Sequence, residues 1–261
     1  MTKKLPSKTP GRPRLNKTVG TQPKAVAPRG KLGRPEGTGS NVRDTILDAA
    51  EMTFADLGYA GTTLREVADK AKVTQALISY YFGSKYGLFE DVFLRRGRKI
   101  SDARMENLET LRRSGKPMQV RDIVHAFFTP TLALRSTTEG RAFIRLQARL
   151  HTEPPEISYK LRNEAYDAST RNYVEAIWSA LPHLSEKDVY WRVTLMVGAY
   201  MYAFSDTHRL DELANGVCNP EDPNEILAQI TEFVTGGLSM PSTDASPAKP
   251  RKSAARRSSA K

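Results

Sequence analysis

A single cysteine, Cys218, is all that the 261 residues contain. That excludes an intrachain disulfide and a cysteine-rich metal site. Histidine is scarce as well. Its four copies, His125, His151, His183 and His208, are scattered without the spacing of metal ligands, so no metal is expected. The longest apolar run, 195–204 with Gly198 inside it, is half of the roughly 20 residues that a membrane-spanning helix needs. The N-terminus is basic, but no apolar segment follows it, so no secretory leader is expected. Catalytic signatures are missing too: no phosphate-cradling loop, no His-Glu-x-x-His, no Gly-x-Ser-x-Gly. Neither an enzyme nor a bound cofactor is expected.

Acidic residues are nearly absent from both ends. Residues 1–40 hold ten Lys/Arg against Glu36, and 241–261 hold six against Asp244. These segments carry +9 and +5 of the formal +11, which leaves −3 for 41–240. Both ends are also poor in large apolar residues and rich in Pro, Gly, Ser and Ala. Such segments cannot bury a core, so 1–39 is read as a disordered basic arm and 241–261 as a disordered basic tail. Basic arms of this kind seek phosphate backbones.

Between the tails the pattern is helical and no strand alternation stands out, so an all-α fold is expected. Ser40 or Asn41 caps a first helix, with Leu47, Ala50, Phe54 and Leu57 on one face and Gly58 as its stop. Thr63 and Glu66 have the spacing of a capping box and open a second helix. Thr74 caps a short third helix to about Tyr80, and a fourth runs from near Ser84 to Arg113. Two short helices around the tight turn at 71–73 describe a helix-turn-helix unit. Farther on, helices are predicted at 118–135, 138–151, 156–180, 186–209 and 223–238, broken by Pro154, Pro155, Pro182 and Pro220.

The stretches "ILDAAEMTFADLGYAGTTLREVADKA", "VTQALISYYF" and "SKYGLF" make 42–93 resemble the DNA-binding domain of the TetR family of bacterial transcriptional regulators. Lys72 stands where that family often has Gly; in a left-handed conformation it costs about 1 kcal/mol against Gly. The resemblance implies a three-helix head over 40–93 and a helical ligand-binding and dimerisation domain over 94–240. It places the third helix in the major groove. Arg65, Thr74, Gln75, Ala76 and Ser79 then contact bases, and Thr63, Tyr80, Tyr81 and Lys85 grip phosphates. Leu77 and Ile78 are assigned to the core.

In the arm, "TPGRPR" at 9–14 and "LGRPEG" at 32–37 are similar to the centre of an AT-hook. Arg12, Arg14, Arg29 and Arg34 are expected to add affinity through counterion release, with little sequence choice. The stretch 149–204 is similar to the ligand domains of TetR members of the fatty-acid-responsive PsrA group, which implies a small hydrophobic or acyl-type ligand. Phe127, Phe143, Tyr166, Tyr173, Trp178, Met196 and Tyr200 are the expected pocket residues, with Arg145, Arg149 and Arg171 available to neutralise an acid. The helix 186–209 is apolar on all sides and must be buried on all sides. With 223–238 it is the expected homodimer interface. The reading is a cytoplasmic, nucleoid-associated repressor released from an operator in double-stranded DNA by its ligand. The alternative is an architectural nucleoid-type protein that coats DNA through its tails.

Overall fold

The computed structural model describes residues 38–242, with side chains from Asn41 onward. The arm residues Arg12, Arg14, Arg29 and Arg34 lie outside the described residues, as does the tail from 243 onward. Every regular element among the described residues is helical. No described helix is long and apolar enough to cross a membrane.

The first helix, α1 (Thr38–Gly61), is interrupted at Gly58, whose φ of 74° and ψ of 175° leave helical geometry. Gly is the residue for which that conformation costs least. The Thr62 hydroxyl closes the break by donating to the Gly58 carbonyl at 2.8 Å. Ile46, Leu47, Ala50 and Phe54 form the buried face, whereas Leu57, expected on it, is exposed. The break at Gly58 ends the inward stripe one turn earlier than the periodicity suggests.

Next come α2 (Leu64–Ala71), α3 (Gln75–Phe82) and the long α4 (Lys85–Arg113). The body follows with α5 (Val120–Leu132), a 3-10 turn (Ala133–Ser136), α6 (Thr138–Leu150) and α7 (Pro155–Arg162). A π turn (Asn163–Asp167) leads from α7 into α8 (Ala168–Ala180), so the expected helix 156–180 is three joined pieces. After α9 (Glu186–Phe204) come α10 (Arg209–Ala214) and α11 (Pro223–Ser239). The expected helix 186–209 stops five residues early, because Asp206 and His208 take left-handed conformations with φ of 54° and 56°.

Pro130 sits inside α5. It has no N–H to give the carbonyl one turn back. That carbonyl belongs to Ala126, and Asn107 Nδ2 of α4 donates to it at 3.1 Å. The kink is thus satisfied from the neighbouring helix.

Two apolar cores share α4. The first joins α1–α3 to Leu88, Phe89, Val92 and Phe93 of α4 and to Phe143, Leu146 and Leu150 of α6. The second gathers α5, α8, α9 and α11 around Leu108. Each large apolar side chain taken fully out of water contributes about 1.5–3 kcal/mol. α6 and the turn after it tie the two halves a second time. Arg145 pairs with Asp56 at 3.4 Å, the Tyr59 amide donates to Glu153 at 3.1 Å, and Phe93 meets Phe143 with ring centroids 5.5 Å apart.

Candidate functional site

The helix-turn-helix is built from local caps. The Thr63 hydroxyl accepts from the Glu66 amide at 3.2 Å and donates to the Glu66 carboxylate at 2.8 Å, and the Thr63 amide donates to that same carboxylate at 2.8 Å. These bonds, the hydroxyl's first and the amide's second, hold Glu66 below its ordinary carboxylate pKa. The cap is therefore intact above that ordinary value and is lost as pH falls through the depressed one. In an NMR-monitored titration, Thr63→Ala should return Glu66 toward its ordinary value. A titration curve that does not move would mean that the cap is not what lowers it.

Lys72 turns the chain in the left-handed region, with φ of 56° and ψ of 41°. Thr74 then caps α3 by accepting from the Leu77 amide at 3.3 Å. Ile78 and Phe82 point inward, and Leu77 is half-buried. Gln75, Ala76, Ser79 and Tyr80 are left exposed on α3, with Thr74 at its tip and Arg65 on α2 exposed beside them. Among the described residues Arg65 reaches only Asp69, at 4.0 Å, and both side chains are largely in water.

The residues expected on phosphates are held differently. Tyr80 is 74% exposed, while Tyr81 is half-buried with its ring 5.4 Å from that of Tyr80. The Thr63 hydroxyl is engaged in its cap. Lys85 donates to the Ala60 carbonyl at 3.3 Å and lies 4.6 Å from the Tyr59 ring centroid. That tether aims the ammonium group at the break in α1 and leaves two of its three protons free.

In the body, a cavity of about 1040 Å³ opens between α4, α5, the end of α6, α7, the π turn, α8 and α9. Of the residues expected in a ligand pocket, Phe127, Tyr166 and Tyr200 are in its lining, together with Val193, Val197 and Met201. The other expected pocket residues lie elsewhere. Phe143 is in the first core and Met196 in the second. Tyr173 is fully buried and its hydroxyl donates to the Arg104 carbonyl at 2.7 Å. Trp178 Nε1 donates to the Leu184 carbonyl at 3.1 Å. Gly97 lets the π turn press against α4, since a Cβ there would meet Ala165 Cβ at 3.0 Å and the Tyr166 hydroxyl at 3.2 Å. Burial raises the pKa of Tyr166 far above its ordinary value, so its hydroxyl stays a neutral donor.

Arg104 is the lining residue that sequence reasoning passed over, although its side chain is only 1% exposed. A signal existed: Ile100, Arg104 and Leu108 recur at steps of four, which places Arg104 in the middle of an inward stripe. Of the three arginines considered for an acid, only Arg171 lines the cavity, where it pairs with Asp167 at 3.4 Å. Arg145 is drawn toward Asp56 and Asp206 instead, and Arg149 lies beside Gly58.

Comparison with known proteins gives two family matches. Residues 46–92 match the model of the bacterial regulatory proteins of the tetR family. Residues 125–237 match that of the tetracyclin repressor-like C-terminal domain. The HTH-type transcriptional regulator YttP of Bacillus subtilis (strain 168) is 46% identical over 50 residues, 19% of this chain and 24% of that protein. The chain thus spans about a quarter of the length of the first curated relatives it matches. The HTH-type transcriptional regulator BetI of Escherichia coli O157:H7 is 24% identical over 171 residues, 65% of this chain and 86% of that one. A tetR family transcription regulator from Shewanella sp. PV-4 shares the fold, with a TM-score of 0.53 at 18% identity over 74% of this chain and 97% of that chain. With its head and its body each matched by a model of this family, and with the fold in common, the chain belongs to the TetR family of bacterial transcriptional regulators.

Proposed function

We propose that the protein is a dimeric, sequence-specific DNA-binding repressor that leaves its operator when a small apolar ligand fills the body cavity. In this reading 40–93 is the DNA-binding head, and 94–240 senses the ligand and dimerises. The observation that carries it is the exposed edge of α3: Gln75, Ala76 and Ser79 stand clear of a head whose every inward position is packed. Gln75 can bond adenine N6 and N7, and Ala76 can touch a thymine methyl. Tyr80, Tyr81, Thr63 and Lys85 flank that edge at the places where phosphates would run.

Release follows from the shared beam. α4 carries Phe89 and Phe93 in the head core and Arg104 on the cavity wall. A ligand that favours one tilt of α4 changes the separation of the two recognition helices, and with it the affinity for DNA. The partner surface is an apolar stripe on α9 and α11, where Trp191, Leu195 and Phe233 are 63%, 65% and 73% exposed. Gly198, Gly236 and Gly237 leave open space beside it for a close helix approach.

The test is a footprint on the DNA upstream of the protein's own gene, with residues 41–240 run beside the full chain. A protected, roughly palindromic site with both forms is the expected result. Diffuse protection that disappears with the tails or under excess random DNA would replace the repressor with the architectural reading. On the protected site, Gln75→Ala should cost about 1–3 kcal/mol and relax the sequence choice at one position. Lys85→Ala should weaken all sequences alike and reduce the salt slope by about 1.

A further inference from the structure

Arg104 lies at the wall of the cavity with its charge unanswered. A guanidinium stays protonated in proteins, and removing an unpaired charge from water costs several kcal/mol even after relaxation. Four other deeply set arginines each have a carboxylate, whereas Arg162, half-buried on the same wall, has none among the described residues and stacks on the Tyr159 ring with its Cζ 4.9 Å from the centroid. Arg135 has Asp206 and Glu221, Arg95 has Asp48 and Glu51, Arg96 has Glu51, and Arg192 has Asp188. None reaches Arg104. Its Nε donates to the Phe127 carbonyl at 3.0 Å and its Nη2 to the Thr131 hydroxyl at 3.1 Å, while Nη1 makes no hydrogen bond among the described residues.

Aromatic rings surround the cation. Its Cζ lies 3.6 Å from the Phe127 ring centroid, 5.4 Å from that of Tyr200 and 5.9 Å from that of Tyr166. Such contacts attract the cation, and none neutralises the charge. The polar groups nearby are unsatisfied too. The Tyr166 hydroxyl and the Gln147 amide lie beside each other without a hydrogen bond of good geometry, and Arg162 Nε is buried without a partner. Tyr166 and Arg162 line the same cavity as Arg104.

A structural task accounts for part of this. Arg104 and Asn107 together take the carbonyls of α5 beside the Pro130 kink. That explains two of the five donors of Arg104. It does not explain a permanent charge, since a neutral amide could serve the Phe127 carbonyl and the Thr131 hydroxyl.

We propose that Arg104, with the Tyr166 hydroxyl, is the anchor for a monocarboxylate whose apolar body lies along Val193, Val197 and Met201. The proposal rests on the reading of the cavity as the effector site and names the class of effector. One charge is called for because, among the described residues, Arg104 is the one fully buried cation on the cavity wall, Arg162 being half-buried. At the rim, Arg171 and Lys160 are already paired with Asp167 and Glu90. A carboxylate suits the guanidinium fork, which offers parallel N–H groups to two oxygens. It also gives the signal a route. Arg104 stands 19 residues along α4 from Lys85, about 28 Å at the helical rise. An acid that pulls on Arg104 therefore pulls on the helix that opens in the head.

The experiment is calorimetric titration of the full chain with octanoate and 4-phenylbutyrate, each beside its amide. The acids should bind on the order of 10- to 100-fold tighter than the amides, as for hydrogen bonds to a charged group. Arg104→Gln should abolish that preference, and Arg104→Lys should keep a reduced one. The lysine variant carries the test alone should the glutamine variant fail to fold. Equal binding of acid and amide by the unaltered protein would overturn the anchor and leave the cavity as effector site. An unchanged preference in a folded variant would overturn it as well. No binding of any of the four probes would remove both the anchor and the effector-cavity reading.

Discussion

Trp191→Glu combined with Leu195→Glu should leave a folded monomer that has lost at least two orders of magnitude in operator affinity. Both side chains project from α9 into solvent, so neither supports the fold of its own chain. Helical spacing puts Trp191, Leu195, Gly198 and Tyr202 on one line, and Tyr202 is exposed as well. An apolar stripe of this kind on a free surface marks an interaction site. Carboxylates there would be buried unpaired in a dimer, which costs far more than any rearrangement recovers. The loss on DNA follows from geometry, because a dimer fixes the spacing of two half-sites while a single head retains about the affinity of nonspecific binding. Sedimentation velocity reads the first effect and a gel-shift titration the second. A variant that remains a dimer would move the interface elsewhere. A monomer with full operator affinity would remove the need for two heads.

How far the sequence carries depends on how local each signal is. The head was legible because its punctuation acts within four residues: Gly58 stops α1, Thr63 and Glu66 box the start of α2, and Thr74 and Ser84 cap α3 and α4. The conformation at Lys72 also follows from its place in a two-helix turn. The body was legible in outline only. Pro130 is tolerated inside α5 because Asn107, distant in sequence, supplies the missing donor. α9 ends at Phe204 because Asp206 is drawn to Arg135 and Arg141, a network that no local pattern announces.

The aromatic residues were harder still. Nothing in composition separates Phe127, on the cavity wall, from Phe143, in the core. Sequence places charged residues on surfaces by default, and that default hid Arg104. The all-round apolarity of α9 was read as burial on all sides, whereas in this chain the structure resolves three faces, one of them exposed. Val189 and Met196 face the core, Val197, Tyr200 and Met201 face the cavity, and Trp191 and Leu195 face solvent. The third face calls for a partner, and the second is where a ligand would touch the same helix.

The joint between α1 and α4 gives the largest effect expected on stability. Glu51 of α1 is 1% exposed and accepts from Arg96 Nε at 2.7 Å and from Arg95 Nη2 at 3.1 Å. Both arginines are about three-quarters buried, and Arg95 also holds Asp48 at 2.8 Å. Glu51→Ala removes the shared acceptor and leaves two adjacent guanidiniums of α4 facing a hole. Removing one partner of a buried ion pair typically costs about 3–5 kcal/mol. Here Arg95 keeps Asp48 and both heads can turn toward water, which lowers the expected loss to about 2–3 kcal/mol. For a domain of this size that is a fall in Tm of about 4–12 °C. Glu51→Gln keeps an acceptor of the same shape without the charge and should lose less. The preference for acids over amides in the distant cavity should be the same in both variants, which separates a loosened joint from general unfolding. A loss below about 0.5 kcal/mol in Glu51→Ala would show that the arginines find equivalent partners, and that α1 is held to α4 by Phe54 and Phe89, whose ring centroids are 4.9 Å apart, rather than by charge.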